Sequence, residues 1–496
     1  MDVIIEVLGM VLTLKTLLIV ILGTGVGIMI GALPGLGPTV GTTLMIPLTY
    51  SMEPVTAIIL LVAIYMAAEY GGSITAILLN TPGTTAATAT LLDGYPLTKK
   101  GMPGKALGAS ITASTIGGII STFILLFLAI PLMKVAIQFG PMEFFALGLF
   151  GISLVASLSN KSILKGILAG VLGLIIATVG IDPLTGHVRY TFGSYYLLEG
   201  ISLMPALVGL YALSEVIFMF ETQTKNEKSK KISSNQFITF KEFKDMLPVI
   251  FSGSFIGAGT GIIPGAGGSI GGWLSYQQAK RFAKDRDQYG QGALSGVAAS
   301  ESANNAVVGG ALIPLLALGI PGSPTTAVLL GALMLHGVSP GPDIMTNDAP
   351  LFYGIVIGLF VTCIVMFFIG NLLRNFWVKM INIPSRIIAP IVLCISIIGA
   401  FSVRNLMFDV FVAVGFGILG YFMRKFDYPL APTVLALVLG KMMESNLRRS
   451  LLISNGDWGI FLTKPISVIF LILAFISFFS PIIRNYLESR KMRSNI

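Results

Sequence analysis

Gly27-Ile-Met-Ile-Gly-Ala-Leu-Pro-Gly-Leu-Gly-Pro-Thr-Val-Gly41 decides the fold class, because it returns later in the chain as Gly257-Ala-Gly-Thr-Gly-Ile-Ile-Pro-Gly-Ala-Gly-Gly-Ser-Ile-Gly271. Gly27, Gly31, Pro34, Gly35, Gly37 and Gly41 match Gly257, Gly261, Pro264, Gly265, Gly267 and Gly271 at one fixed offset. Both copies lie in charge-free apolar stretches, Thr16 to Met52 and Met246 to Ala279. Proline removes a backbone donor and glycine permits open turns, so each copy interrupts a helix of membrane length. Interruptions at corresponding places in two halves of a chain point to a transporter with its site near the breaks.

The surrounding composition agrees. The 496 residues are 54% hydrophobic and 11% charged, with a mean hydropathy of +0.87. Soluble domains carry roughly 25% charged residues, so lipid is the solvent of this chain. Further uncharged runs, Ala106–Met133, Ala349–Leu373 and Pro465–Ile483, are long enough to cross about 30 Å of hydrocarbon. At about 20 residues per crossing, the runs predict about 12 segments within a range of roughly 10–14. The fold class expected is an all-α polytopic membrane protein with two inverted repeats and broken or re-entrant helices at the Pro-Gly motifs. Residues 1–220 form the first repeat, 221–246 a cytoplasmic linker, 247–485 the second repeat and 486–496 a basic cytoplasmic tail.

The formal charge of +9 resides in short loops and at the C-terminus (Arg490, Lys491, Arg493). That is the positive-inside pattern rather than a nucleic-acid surface, and it puts the C-terminus and the Lys225–Lys231 linker in the cytoplasm. Asp2 and Glu6 stand where a signal peptide needs basic residues, so the first apolar run is expected to be retained. Cys363 and Cys394 sit inside apolar runs and read as small core residues rather than a disulfide or a metal site.

Loop charges bear on orientation. Tyr50-Ser-Met-Glu-Pro54 follows the first copy with no Lys or Arg, whereas Lys280-Arg-Phe-Ala-Lys-Asp-Arg286 follows the second with four. Further on the asymmetry reverses: Thr98-Lys-Lys-Gly-Met-Pro-Gly-Lys105 has three basic residues, and its counterpart, Leu335 to Asp348, has none and two Asp. Matched loops with opposite charge bias belong on opposite sides of the membrane, as inverted repeats require.

Each half has a second breaker, Leu79-Asn-Thr-Pro-Gly-Thr-Thr85 and Leu318-Gly-Ile-Pro-Gly-Ser-Pro-Thr-Thr326. Unwinding at membrane depth costs several kcal/mol per unsatisfied group unless a cavity or ligand compensates. The half-helix that restarts after Pro-Gly presents free N–H groups and a positive dipole end, which suit a carboxylate. Asn80, Thr81, Pro82, Gly83, Thr84 and Thr85, with Pro321, Gly322, Ser323, Thr325 and Thr326, are the expected substrate contacts. Glu301, Asn304 and Asn305 are expected at a cation-coupling site for Na⁺ or a proton, since carboxylates at membrane depth are functional by default. Pro34, Gly35, Gly37, Pro264, Gly265 and Gly267 are expected to be hinges that mark the two halves. Glu69 is open to either an interfacial or a cation-binding role, and His187 and His336 read as loop residues.

No enzyme constellation is present: no His pair at ligand spacing, no paired carboxylates in one cluster and no nucleotide-binding lysine in a Gly-rich loop. The Gly-X-Gly strings lack a strand–helix context. No cofactor is expected beyond the coupling ion.

Several motifs together resemble the large membrane subunit of the tripartite tricarboxylate transporter family. They are Gly31-Ala-Leu-Pro-Gly-Leu-Gly37, Tyr70-Gly-Gly-Ser73 with Asn80-Thr-Pro-Gly83, and Asp93-Gly-Tyr-Pro96. Gly180 to Gly193, Glu301-Ser-Ala-Asn-Asn-Ala306, Leu318-Gly-Ile-Pro-Gly322 and Gly440 to Ser450 follow in order. The resemblance implies a prokaryotic inner-membrane permease that takes up citrate-like tricarboxylates or related carboxylates, driven by a Na⁺ or proton gradient. It also implies two partners, a small four-helix-type membrane subunit and an extracytoplasmic solute-binding protein. Glu69 departs from the family pattern, which has an apolar residue before Tyr-Gly-Gly-Ser. Arg189 of the Gly180–Gly193 motif either pairs with Asp182 or neutralises an anion at an entrance. The competing expectation is a stand-alone anion carrier or channel without partner subunits. Whether movement is rocking or an elevator shift is not readable.

Overall fold

The computed structural model describes residues 2–494 apart from 34, 158–162, 183, 222–235, 266, 343, 375 and 378–384, with backbone alone at 2, 269, 385–386 and 480–494. Pro34, most of the expected 221–246 linker and the side chains of the expected 486–496 tail therefore lie outside the described residues.

The chain is helical almost throughout. The first half comprises α1 (Asp2–Val11), α2 (Leu14–Gly31), α3 (Gly37–Thr49), α4 (Pro54–Leu79), α5 (Leu91–Lys99), α6 (Pro103–Ala136), α7 (Pro141–Ser157), α8 (Ile163–Ala177) and α9 (Leu203–Glu221). The second comprises α10 (Phe240–Ile262), α11 (Gly267–Phe282), α12 (Leu294–Leu318), α13 (Pro324–Leu335), α14 (Ile344–Asn347) and α15 (Ala349–Leu372). It ends with α16 (Ser385–Ser402), α17 (Met407–Lys425), α18 (Leu430–Ile453) and α19 (Pro465–Ser494). Among the described residues, 8 helices are long and apolar enough to span a bilayer, and five shorter apolar helices accompany them. The protein is a multi-pass membrane protein. One of the shorter five, Pro324–Leu335, starts directly after the second-half break.

Small residues set the packing. Gly23, Gly27 and Gly31 lie against Leu60, Ile64 and Ala68, and a Cβ at Gly31 would stand 2.0 Å from the Ala68 carbonyl oxygen. Gly253, Gly257 and Gly261 lie in the same way against Ala299, Ala303 and Val307. Numbers rise together in both sets, so α2 runs parallel to α4, and α10 parallel to α12. In the absence of a hydrophobic drive between helices in lipid, such backbone approach is what gives the pairs their dispersion contact. Leu14, Leu18, Ile21 and Leu22 occupy the exposed face of α2.

Parallel pairing requires the chain to return between α2 and α4. It does so along α3, whose Gly41 lies against Ile30, and along α11, whose Gly271 lies against Thr260 and Gly257. The first breaker pair thus forms the tips of two helical hairpins, α2–α3 and α10–α11. Gly35 (φ 94°) and Gly37 (φ 50°) match Gly265 (φ 81°) and Gly267 (φ 58°). Both tips use the left-handed region that favours glycine.

Helices α4 and α12, enclosed on almost every side, cross antiparallel at the centre. Asn305 Nδ2 donates to the Met66 carbonyl (2.9 Å) and Asn304 Nδ2 to the Glu69 carbonyl (3.1 Å), while Ser73 Oγ donates to Glu301. Around this pair, α6 follows α12, with Gly117 and Gly309 against Ser302 and Ser121. Two flanking groups mix the halves: α18 packs on α7 and α8, and α16 and α17 pack on α9.

Loop contacts separate two faces. Thr49 Oγ1 meets His336 Nε2 at 3.1 Å on one, and Lys105 pairs with Glu242 at 2.6 Å on the other. On that second face Asp93 ties α5 to the start of α12. Its Oδ1 accepts the N–H groups of Gly290, Gly292 and Ala293 at 2.8, 2.7 and 2.9 Å, and its Oδ2 accepts the Tyr276 hydroxyl. Asp93→Ala strands these donors, of which the Ala293 N–H and the Tyr276 hydroxyl are buried, and is expected to lower stability by about 3 kcal/mol. Asp93→Asn, which keeps an acceptor at Oδ1, should lose much less. Thermal unfolding in detergent checks both.

Candidate functional site

The breakers converge. A cavity of about 670 Å³ is lined by the first hairpin tip (Gly35, Gly37, Thr39), the second (Gly265, Gly267, Gly268), and both later breaks (Pro82, Gly83, Thr84, Thr85 and Ser323, Thr325). Residues far apart in sequence meet here because both later breaks dock on the hairpins. A Cβ at Gly83 would stand 2.2 Å from the Gly31 carbonyl oxygen, and one at Gly322 would stand 2.8 Å from that of Gly261. Gly265 N–H also donates to the Gly322 carbonyl at 2.9 Å. Gly35, Gly37, Gly265 and Gly267 of the first breaker pair, expected to be hinges that mark the halves, lie on the same cavity wall as residues of the second.

Not every expected contact reaches it. Asn80 caps α4 in the left-handed conformation (φ 57°) and matches Gly319 (φ 71°), the cap of α12. Left-handed capping turns the Asn80 side chain out, and Asn80 and Thr81 are exposed and absent from the cavity wall. Thr326, though adjacent, is occupied: its N–H is bound by Ser323 Oγ and its hydroxyl caps Ser323 N–H at 2.7 Å. Pro321 lines a separate small void with Ala327 and Leu435, and Gly322 is packed against α10 and α12 backbone.

What remains for a ligand is distinct on the two sides. Helix α3 begins with no side-chain cap, so its first-turn N–H groups require another partner. Thr39 and Thr325 share a hydroxyl hydrogen bond of 2.8 Å across the halves, and Tyr65 shares one of 3.1 Å with Ser323. Uncapped N–H groups, a helix dipole and hydroxyls are the donors that an anion needs.

Glu301, Asn304 and Asn305 lie behind this wall rather than on it. Spacings of three and four place them on one face of α12, the face that meets α4. Glu301 is fully buried and accepts the hydroxyls of Ser73, Thr90, Ser110 and Ser114. Asn304 and Asn305 spend their amide N–H groups on α4 carbonyls, yet both Oδ1 atoms lack a hydrogen-bond partner. Among the described residues no group of three His, Cys, Asp or Glu residues is placed to hold a metal ion.

The structure adds wall residues that were not expected. Glu69 lines the cavity from α4, Arg424 from α17, and Glu215 and Tyr211 from α9. Arg424 and Glu215 form an ion pair, and Tyr211 sits in a π-helical stretch, Val208–Leu213, with its hydroxyl unpartnered. Such π segments recur at functional sites. Glu215, a carboxylate inside an apolar run, was the available sequence signal for this wall.

The Gly180–Gly193 motif is structural where it is described. Arg189 bonds both Glu444 oxygens, at 2.5 and 3.2 Å, and stands 3.7 Å from Asp182. The Leu184 N–H, aided by Arg448, holds the Asp182 carboxyl well below the usual carboxylate range.

Residues 17–435 match the family model described as the tripartite tricarboxylate transporter TctA family. The chain is 37% identical over 445 residues to an "Uncharacterized 52.8 kDa protein in TAR-I ttuC' 3'region" of Agrobacterium vitis, covering 90% of this chain and 89% of that one. It is 40% identical over 207 residues to an "Uncharacterized protein in TAR-II ttuC' 3'region" of the same organism, covering 42% of this chain and 86% of that one. No solved structure matches. With half-helix starts gathered on one cavity and a family match spanning most of its length, this chain belongs to the tripartite tricarboxylate transporter TctA family.

Proposed function

We propose that the protein is the permease subunit of a secondary active transporter that takes up tricarboxylates or related carboxylates. The observation that carries this reading is the joint cavity, where both hairpin tips and both later breaks meet around the uncapped start of α3. The uncapped start of α3 contributes about 0.3–1 kcal/mol to an anion at a water-exposed end and more where water is excluded. Family membership argues for transport rather than catalysis.

The two halves act as inverted repeats. The support is the antiparallel crossing of α4 and α12, the matched hairpins, and the opposite charge bias of matched loops. Asn304, Asn305 and Glu301 couple transport to Na⁺ or a proton, the two free Oδ1 atoms being suited to a hard cation. An extracytoplasmic solute-binding protein and a small membrane subunit complete the system in the prokaryotic inner membrane, with the C-terminus cytoplasmic. Uptake of labelled citrate into proteoliposomes, with and without Na⁺, a pH gradient and the two partners, tests this. Ion-driven uptake that depends on the binding protein is expected. Free exchange without partners would favour a stand-alone carrier, and no carboxylate movement under any condition would refute the reading.

A further inference from the structure

The cavity wall contains a carboxylate with one oxygen that accepts from no side chain. Glu69 is only 8% exposed, lines the cavity, and its Oε2 has no hydrogen-bond partner. Thr84 is the side chain that bonds this carboxyl, and it leaves Oε2 unfilled. The other neighbours do not fill it either. Tyr65 is engaged with Ser323, Asn304 reaches only the Glu69 backbone carbonyl, and Arg424 on the opposite wall is paired with Glu215. The other half offers a contrast: α4 and α12 match through Asn80/Gly319 and Gly83/Gly322, and the same offset makes Val308 the counterpart of Glu69. The packing of this position therefore does not require a carboxylate.

A buried carboxyl oxygen without a donor is disfavoured unless a ligand supplies one. A substrate carboxylate cannot, since it is acceptor-only and of like charge. An ammonium brings three donors, more than one orphan oxygen can satisfy; a hydroxyl brings one. We propose that Glu69 is a specificity-determining residue that accepts a hydrogen bond from a hydroxyl on the carbon skeleton of the substrate. The cavity then prefers hydroxycarboxylates over their unhydroxylated parents. This rests on the carboxylate-permease reading above and names the feature by which the site chooses among carboxylates.

The test uses the purified full-length chain and near-isosteric pairs: citrate against tricarballylate, and malate against succinate, with aspartate as the ammonium-bearing analogue. Calorimetric binding by the wild type is expected to favour the hydroxylated member of each pair by about 10- to 100-fold, the range for leaving one buried polar group unpaired. Glu69→Leu should shrink each gap to within about twofold while keeping or improving affinity for the parent. Glu69→Gln, which retains an acceptor oxygen, should preserve it. Glu69→Val, which installs the side chain found at the matched position Val308, serves if the leucine variant does not fold. Equal affinities in the wild type, an unchanged gap in Glu69→Leu, or tighter binding of aspartate than malate would overturn the inference alone. Failure of every carboxylate to bind the wild type, both alone and with the binding protein and small subunit present, would overturn the permease reading with it.

Discussion

Gly83→Ala is expected to reduce labelled-citrate uptake to below about a tenth of the wild-type rate, with protein still inserted in the membrane. The added Cβ would lie 2.2 Å from the Gly31 carbonyl oxygen and 2.7 Å from Gly72 Cα. Both obstacles are backbone, so no rotamer change relieves them. The hairpin tip must move off α4, carrying Gly35 and Gly37 out of the cavity wall. Overpacking of this kind costs about 1–3 kcal/mol or more, and a shift in the site multiplies the effect on transport. Gly322→Ala should be milder, because its nearest obstacles are the Gly261 oxygen at 2.8 Å and Ala311 Cα at 3.0 Å. Gly259, on the same hairpin with nothing within 4 Å, provides a control that should transport normally as alanine. Initial rates normalised to monodisperse protein decide the order. Wild-type transport by Gly83→Ala would refute the role given to the breaks.

Glu301→Leu is the second large effect. It removes the acceptor shared by Ser73, Thr90, Ser110 and Ser114 at the junction of α4, α5, α6 and α12. Buried hydroxyls left without an acceptor cost about 1–3 kcal/mol each, reduced where they can turn to a helix carbonyl, so a net loss of about 3 kcal/mol is expected. Glu301→Gln separates structure from coupling. Its amide keeps an acceptor of the same shape, and hydroxyls can rotate to meet its N–H groups. Thermal stability should stay near the wild type while accumulation against a gradient is lost and exchange of labelled for unlabelled substrate continues. Undiminished accumulation in Glu301→Gln would leave Glu301 with a structural role only.

The legible part of the site was its backbone chemistry. Pro82-Gly83 and Pro321-Gly322 announced interruptions because a missing N–H and a missing Cβ are local properties. Of the polar side chains around them, Thr84, Thr85, Ser323 and Thr325 reach the cavity, whereas Asn80 and Thr81 turn out and Thr326 is consumed by capping. The residues missed, Arg424, Glu215 and Tyr211, come from helices outside the repeated Pro-Gly motifs, and of them only Glu215, a carboxylate in an apolar run, carried a local signal. Glu69 was visible as a carboxylate in an apolar run, but whether it faced lipid headgroups, a neighbour or a cavity depended on what α3 and α13 placed beside it.

The sequence by itself determined that this is a helical membrane protein with unwound segments in each half. Those properties follow from the length of apolar runs and from the covalent peculiarities of proline and glycine, which act wherever the residues stand. Only the tertiary structure decided that the first breaks are hairpin tips, that all four breaks share one cavity, and that Glu301, Asn304 and Asn305 face α4. Such choices turn on which small residues let two backbones approach. In lipid, where apolar surface gains nothing by leaving its solvent, close packing and buried hydrogen bonds between distant segments select the arrangement.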